Sequence, residues 1–355
     1  MSNNKNIEIT DGLVCPIPMS QYSRILLAHG GGGTLSHQLI QKMFFSHFDN
    51  KILQVEHDGA VFEENGIRFA FSTDSYVVQP IFFPGGDIGE LAVYGTVNDL
   101  AVCGAKPLFL SVGFIIEEGL EMETLWKIVQ SIKKAADMAD VKIVTGDTKV
   151  VDRGKGDKIF INTSGIGILG AGIDIAPNRV QVGDKIIING KIAEHGVAIL
   201  SAREEFDFNT TIKSDTAPLH DLILSILDRF PNVHMMRDPT RGGISSALNE
   251  IAAKTKLGIY LEESKIPIRE DIKGICEMLG LDPLYIANEG KVLLFVPPND
   301  ADDVLETILR HQLGKHAAII GEVVSKNPGK VVMKTTIGSH RIVDMLSGEQ
   351  LPRIC

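Results

Sequence analysis

Two runs of alternating strand-like and helical segments, parted by one proline-interrupted stretch, constrain this chain more than any other feature. The first run passes through "KILQV", "IRFAFSTDSYVV", "PLFLSVGFII", "VKIVTGDTKVV" and "KIFINTSGIGIL", all rich in β-branched and aromatic residues. The helical stretches "IGELAVYGTVNDLAVCG" and "METLWKIVQSIKKAADMA" lie between them. Around "IDIAPNRVQVGD" the pattern breaks, and the strand "KIIING" opens a second unit of helices and strands. The alternation predicts an α/β (α+β) fold of two domains, residues 45–172 and 180–335, preceded by a segment 1–44 that carries a glycine-rich loop. Residues 338–355, ending "SGEQLPRIC", have weak periodicity and are expected to form a mobile arm.

Composition narrows the partners. A formal net charge of −10 argues against a surface that tracks nucleic-acid phosphates. No apolar leader opens the chain and no window is long and apolar enough to span a bilayer, so a cytoplasmic protein with no membrane partner is expected. The 4 cysteines are far apart and form no CxxC pair, which removes zinc knuckles and iron–sulfur sites from consideration. Cys103 and Cys276 read as small buried hydrophobes. Cys355, the final residue of "PRIC", does not.

Four aspartates stand at strand ends or helix turns of the first domain: Asp58, Asp74, Asp99 and Asp147. Each is flanked by apolar residues, and a buried carboxylate without a cation is costly. Convergent aspartates holding Mg²⁺ against nucleotide phosphates would resolve that cost; four separate turn or cap residues are the competing reading. The run Gly30–Gly33 lacks the Gly-Lys-Ser/Thr ending of a P-loop and reads either as a close backbone approach to phosphate or as a hinge, with Thr34 or Ser36 as a helix cap and His29 beside it. "GIGILG" matches GxGxxG but precedes no helix, so the dinucleotide reading fails. In "RDPTRGG" Arg237 and Arg241 stand before a helix, placed either for phosphate or for ion pairs with Asp238 capping. Glu289 in "ANEGKV" is a candidate base or, as a residue of a strand-to-strand turn, an exposed hairpin glutamate.

Taken together, "HDGAVF", "STDSYVV", "GELAVYGTVNDLAVCGA", "VTGDTKVV", "RDPTRGG", "ANEGKV" and the terminal "PRIC" resemble the HypE family of hydrogenase maturation proteins, carbamoyl dehydratases of the PurM-like superfamily. The resemblance spans nearly the whole chain, although the glycine run has no serine where the family usually carries one. It implies ATP and Mg²⁺ as cofactors, with Asp58, Asp74, Asp99 and Asp147 binding the metal and the nucleotide, and Asn98 and Thr148 belonging to the same site. It further implies Glu289 as acid–base residue, Lys149 steadying charge beside it, and Cys355 as the carrier of an S-carbamoyl group. The implied partners are the carbamoyltransferase HypF, a HypC–HypD scaffold and a second copy of the chain. Two rival readings remain: a PurM-like small-molecule phosphotransferase of the thiamine-phosphate kinase or selenophosphate synthetase type, and a non-enzymatic thiol carrier.

Overall fold

A computed structural model describes residues 22–203 and 211–348. Cys355 lies outside the described residues, as does the segment before residue 22. The chain begins with a short helix α1 (Thr34–Leu39) that continues through a wider turn into α2 (Ser46–Phe48). The first unit then runs β1 (Ala60–Glu64), β2 (Ile67–Tyr76), β3 (Phe82–Phe83), β4 (Gly86–Asp87), α3 (Ile88–Val102), β5 (Ala105–Glu117), α4 (Met122–Met138), β6 (Lys142–Val151) and β7 (Ile159–Leu169). The second is β8 (Lys185–Ile188), α5 (Glu194–Ser201), α6 (His220–Arg229), β9 (Met235–Arg237), α7 (Gly243–Thr255), β10 (Gly258–Glu262), α8 (Glu270–Leu279), β11 (Leu293–Val296), α9 (Ala301–Arg310), β12 (Ala318–Val324), β13 (Val331–Lys334) and β14 (His340–Val343). Among these residues no helix is long and apolar enough to cross a membrane.

Each unit is one mixed sheet. The first has the order β1-β2-β7-β5-β6, antiparallel except for β5 beside β6; the second has the order β14-β13-β10-β12-β8-β11-β9, antiparallel except for β10 beside β13. Helix α3 covers one face of the first sheet and is buried almost all round. Its start is fixed by Asp87, whose Oδ1 accepts from the backbone N–H groups of Gly89 (2.7 Å) and Glu90 (3.1 Å). Its seat on the sheet depends on Gly95, because a Cβ there would lie 2.2 Å from the Tyr76 hydroxyl. That hydroxyl opens a buried chain through Thr96 Oγ1 (3.3 Å) and Thr163 Oγ1 (2.6 Å) to the carbonyl of Ala92 (2.7 Å).

Among the described residues, no helix lies over the opposite face of the first sheet. Phe71, Ile166 and Phe109 stand in one cross-strand row on that face, with Phe71 and Phe109 each more than two-fifths exposed. The edge strand β6 is solvent-exposed along nearly its whole length.

The cores interlock between the units. Ala101 and Val102 of α3 pack into the core of the second unit, and Ile199 of α5 packs into the core of the first.

Several expectations are corrected. "KILQV" is no strand: Leu53–Val55 is a single 3-10 turn, and the strand that opens the sheet is the charged "AVFEE" of β1, which the alternation of its apolar residues alone did not mark. Neither Thr34 nor Ser36 caps α1, whose cap position is Gly33. Residues 340–346 are not part of an arm: His340–Val343 pairs with β13 and buries Val343 completely, and Leu346 is buried beyond it. Its two apolar residues, Ile342 and Val343, are adjacent and give no alternation to reveal that strand.

Candidate active site

Sheet register decides which of the singled-out aspartates meet. On β2 the even positions Ser72, Asp74 and Tyr76 face α3, so Asp74 points toward the helix layer, level with Asp99 on α3. Asp58, on the loop entering β1, reaches the same place. These three line a cleft of about 630 Å³ between the units, together with Asp238, Arg241 and Gly32. A smaller cavity shares Asp74, Asp99 and Asp238 with that cleft and is closed at its inner side by Glu289 and Tyr76.

Apolar side chains, Ile40, Phe45, Pro177 and Ile251, share the cleft wall with the charged groups. Among the charged groups Arg237 is the main fixed cation. Its Nη1 is 2.8 Å from Asp58 Oδ1, and its Nη2 also pairs with Glu250. Asp58 Oδ2 is buried without a hydrogen-bond partner, as is Nε2 of the neighbouring His57. Asp99 has a hydroxyl against it instead of a cation, Ser72 Oγ donating at 2.6 Å.

Such crowding is reflected in the carboxyl acidities. Burial pushes Asp58 and Asp99 well above the ordinary carboxylate range; for Asp99 the charges of Asp238, Asp74 and Asp58 push the same way. Asp74 is raised by burial, partly offset by Arg241. Asp238 is raised to about 6, again through burial, against the pull of Arg237. His57 is driven the other way, down to about 3, first by burial and then by Arg237, so its ring is neutral. A divalent cation among these carboxyls would favour their charged forms.

Glu289 is buried, at 5% exposure, in the loop between the turn Pro283–Tyr285 and β11, which corrects the exposed-hairpin reading. Asp215 fixes that loop by accepting from the backbone N–H groups of Glu289 (3.1 Å) and Gly290 (3.3 Å) and from Lys291 Nζ (2.7 Å). Burial, then the charges of Asp215, Asp238 and Asp74, hold the Glu289 carboxyl well above its usual range. Asp215 went unremarked in the sequence because "KSDTAPL" offers no spacing that ties one loop aspartate to a glutamate 74 residues later.

Asn98 does not line the cleft. Its Nδ2 donates to the carbonyls of Ala217 and Glu289, both at 3.1 Å, and its Oδ1 accepts from Leu219 N–H (2.7 Å), so it ties α3 to the second unit. Asp147, Thr148 and Lys149 are not brought to the cleft of their own chain either. They lie on β6, three strands from β2, about 14 Å away at ordinary strand spacing. The cross-strand row Ser75–Asn162–Gly113–Asp147 also puts Asp147 on the uncovered sheet face, opposite to Asp74. There Lys149 Nζ approaches Asp147 Oδ2 to 2.6 Å and holds that carboxyl below its usual range. Of the two arginines in "RDPTRGG", Arg237 is committed to carboxylates, while Arg241 lines the cleft. Among the described residues, no three His, Cys, Asp or Glu side chains close into a complete protein-built metal site.

Residues 56–169 match the model of the AIR synthase related protein N-terminal domain, and residues 181–334 match its C-terminal domain. The carbamoyl dehydratase HypE of Cupriavidus necator is 50% identical over 333 residues, 94% of this chain and 95% of the relative. A crystal structure of a HypE–HypF complex superposes with a TM-score of 0.83 at 47% identity, covering 87% of this chain and 99% of that one. A HypE crystal structure in complex with ATP gives 0.79 at 47% identity, over 94% and 100%. Thiamine monophosphate kinase from Aquifex aeolicus, at 16% identity and a TM-score of 0.63 over 89% and 100%, shares the fold alone. With two matching domain models and half its residues shared with a curated relative over nearly the full length of both, the chain belongs to the HypE family of carbamoyl dehydratases.

Proposed function

We propose that the protein dehydrates an S-carbamoyl group carried on its own Cys355 to a thiocyanate at the expense of ATP, supplying cyanide for the iron centre of a nickel–iron hydrogenase. The observation that carries this reading is the grouping of Asp58, Asp74 and Asp99 in one cleft, next to a smaller cavity that joins Asp74 and Asp99 to Glu289, with a buried Asp58 oxygen that has no hydrogen-bond partner among the described residues. That oxygen and its raised neighbours are what a divalent cation needs from the protein, since Mg²⁺ takes one or two carboxylates and completes its shell with phosphate oxygens and water. One or two of Asp58, Asp74 and Asp99 would hold it directly, and when bound with ATP it neutralises charge developing on the phosphoryl group. The apolar side chains of the cleft wall suit the adenine base, and Arg241 the phosphates.

The overall step balances as S–C(=O)–NH₂ plus ATP giving S–C≡N, ADP, phosphate and a proton, the carbonyl oxygen leaving on phosphate. The protein's part is to remove N–H protons and to hold the carbamoyl group still. Glu289 is the residue we assign to the proton, because a carboxyl held well above its usual range is a strong base once ionised. Asp215 and Asn98 keep its loop in place. Glu289→Gln should bind ATP and accept the carbamoyl group yet convert it at least a hundredfold more slowly. Intact-mass analysis of Cys355 after incubation with the carbamoyltransferase and MgATP measures both steps, and ordinary thiocyanate formation by the variant would exclude Glu289.

We assign Asp147, Thr148 and Lys149 to the cleft of a second copy in a homodimer formed through the first-unit sheets, residues 45–172. What supports the assignment is a free edge strand beside an uncovered apolar face, a surface that soluble proteins seldom leave open. Phe71→Glu combined with Ile115→Glu should convert the dimer to monomer in light scattering and abolish ATP turnover. A dimer of wild-type affinity in that variant would remove this assignment. HypF as donor of the carbamoyl group, a HypC–HypD scaffold as acceptor of the cyanide, and a cytoplasm that keeps Cys355 a thiol complete the reading. The distant kinase likeness gives no support to a small-molecule phosphotransferase.

A further inference from the structure

The last described residues of the chain pack against the glycine run. Leu346 is buried, and its carbonyl oxygen accepts from both the backbone N–H (2.8 Å) and the Oγ1 (3.2 Å) of Thr34. Gly33 has φ −104° and ψ −161°, extended backbone that any residue adopts, so its torsion angles do not demand glycine. The contact does: a Cβ on Gly33 would sit 2.3 Å from the Leu346 oxygen. Just upstream, Ser245 Oγ of α7 donates to the carbonyl of Asp344 (2.6 Å) and Asn249 Nδ2 to that of Val343 (2.9 Å).

The same run faces the cleft on its other side. Gly32, at φ +72°, lies against Arg241, whose Nη1 donates to the carbonyl of Gly30 (3.1 Å). One short loop therefore touches both the cleft wall and the stem that leads to Cys355. Six residues separate Gly348 from Cys355, which lies within about 25 Å of it at full extension. A carrier on so short a tether gains its rate advantage only if the root of the tether is fixed.

We infer that Gly33 and Thr34 are positioning residues for the dehydration: by clamping Leu346 they fix the point from which the last residues start, and so the register of the Cys355 sulfur at the cleft. The inference rests on Cys355 being the carrier. Neither residue lines the cleft, so nucleotide binding and the carrier step separate experimentally.

The full chain, loaded by the carbamoyltransferase, is followed by intact mass in a single turnover with saturating MgATP, for wild type, Gly33→Ala, Thr34→Val and Thr34→Ser. We expect Gly33→Ala to lose about a hundredfold in the rate of water loss from the Cys355 adduct. Thr34→Val is expected to lose about five- to tenfold, with Thr34→Ser restoring wild-type behaviour. All four should load to the same extent and bind MgATP within twofold by calorimetry. If Gly33→Ala does not fold, the Thr34 pair decides alone. Wild-type rates in Gly33→Ala or in Thr34→Val would overturn the clamp, and so would a parallel loss of ATP affinity, which would make the loop a nucleotide element only. Absence of water loss in the loaded wild type would sink the carrier reading and the clamp with it.

Discussion

Asp99→Asn should weaken MgATP binding by about a hundredfold or more while raising the melting temperature of the nucleotide-free protein by a few degrees. Both effects follow from one arrangement. Asp99 is partly buried, meets a hydroxyl at 2.6 Å, and is pushed above the carboxylate range by desolvation and by three neighbouring acids. Its pKa is higher in the folded than in the unfolded chain, whose value is near 3.8. The folded state therefore gains from protonation below that value, and the gain is lost as pH rises through the folded pKa. At neutral pH the acid is a net cost to the empty protein. An amide of nearly the same shape removes that cost, on the order of 1–3 kcal/mol, and with it the charge the cation needs. Thermal melts at pH 4.5 and pH 7.5, with and without MgATP, separate the two effects: the variant's advantage should appear at the higher pH and fade at the lower. Asp58→Asn is the informative contrast, because Asp58 neutralises Arg237 and its loss should destabilise the empty protein. Wild-type nucleotide affinity in Asp99→Asn, or a lower melting temperature, would remove Asp99 from the metal site.

Cys355→Ala should abolish every carbamoyl- and cyano-dependent mass increment while ATP affinity and the oligomeric state stay at wild-type values. Neither Cys103 nor Cys276 can substitute, because both are buried and burial raises both thiols above their ordinary pKa. Adding one alanine after Cys355 tests register instead of identity. That variant keeps the thiol for the carbamoyltransferase but inserts a residue beyond it, so it should load normally and dehydrate about a hundredfold more slowly. Thiocyanate formation in Cys355→Ala would defeat the function proposed above; full dehydration by the extended variant would show that the sulfur's place at the end of the chain has no mechanistic role.

The sequence was most legible where apolar spacing spoke directly. The long strands β2, β5, β6 and β7 and the helices α3 and α4 stand where their patterns put them, and the break near residue 177 is a proline turn between the two sheets. Short strands escaped, as β9, β13 and β14 each offer only three or four residues, below the length at which alternation can be told from chance. At the site, an aspartate between apolar residues picked out Asp58, Asp74 and Asp99, three acids that the fold brings to one cleft, because burial cost is a local property. The same signal could not separate Asp147 from them, since strand order and sheet face are not written in the residues around "GDT". Asn98 shows the limit from the other side: it sits next to Asp99 in sequence, yet its amide belongs to a seam between the units and not to the cleft.

That seam bears on how such a protein can be inherited. The two halves correspond to separate domain models, which invites the picture of interchangeable modules joined by a linker. Asn98 contradicts it, with Ala101 and Val102 built into the other half's core and Ile199 built into the first. A crossover near residue 175 that joined halves from two divergent relatives would have to carry matched partners on both sides at once, the loop from Ala217 to Leu219 and the carbonyl of Glu289 included. The halves are then a single unit of heredity, and a change in the helix that carries Asp99 constrains which versions of the Glu289 loop can be kept beside it.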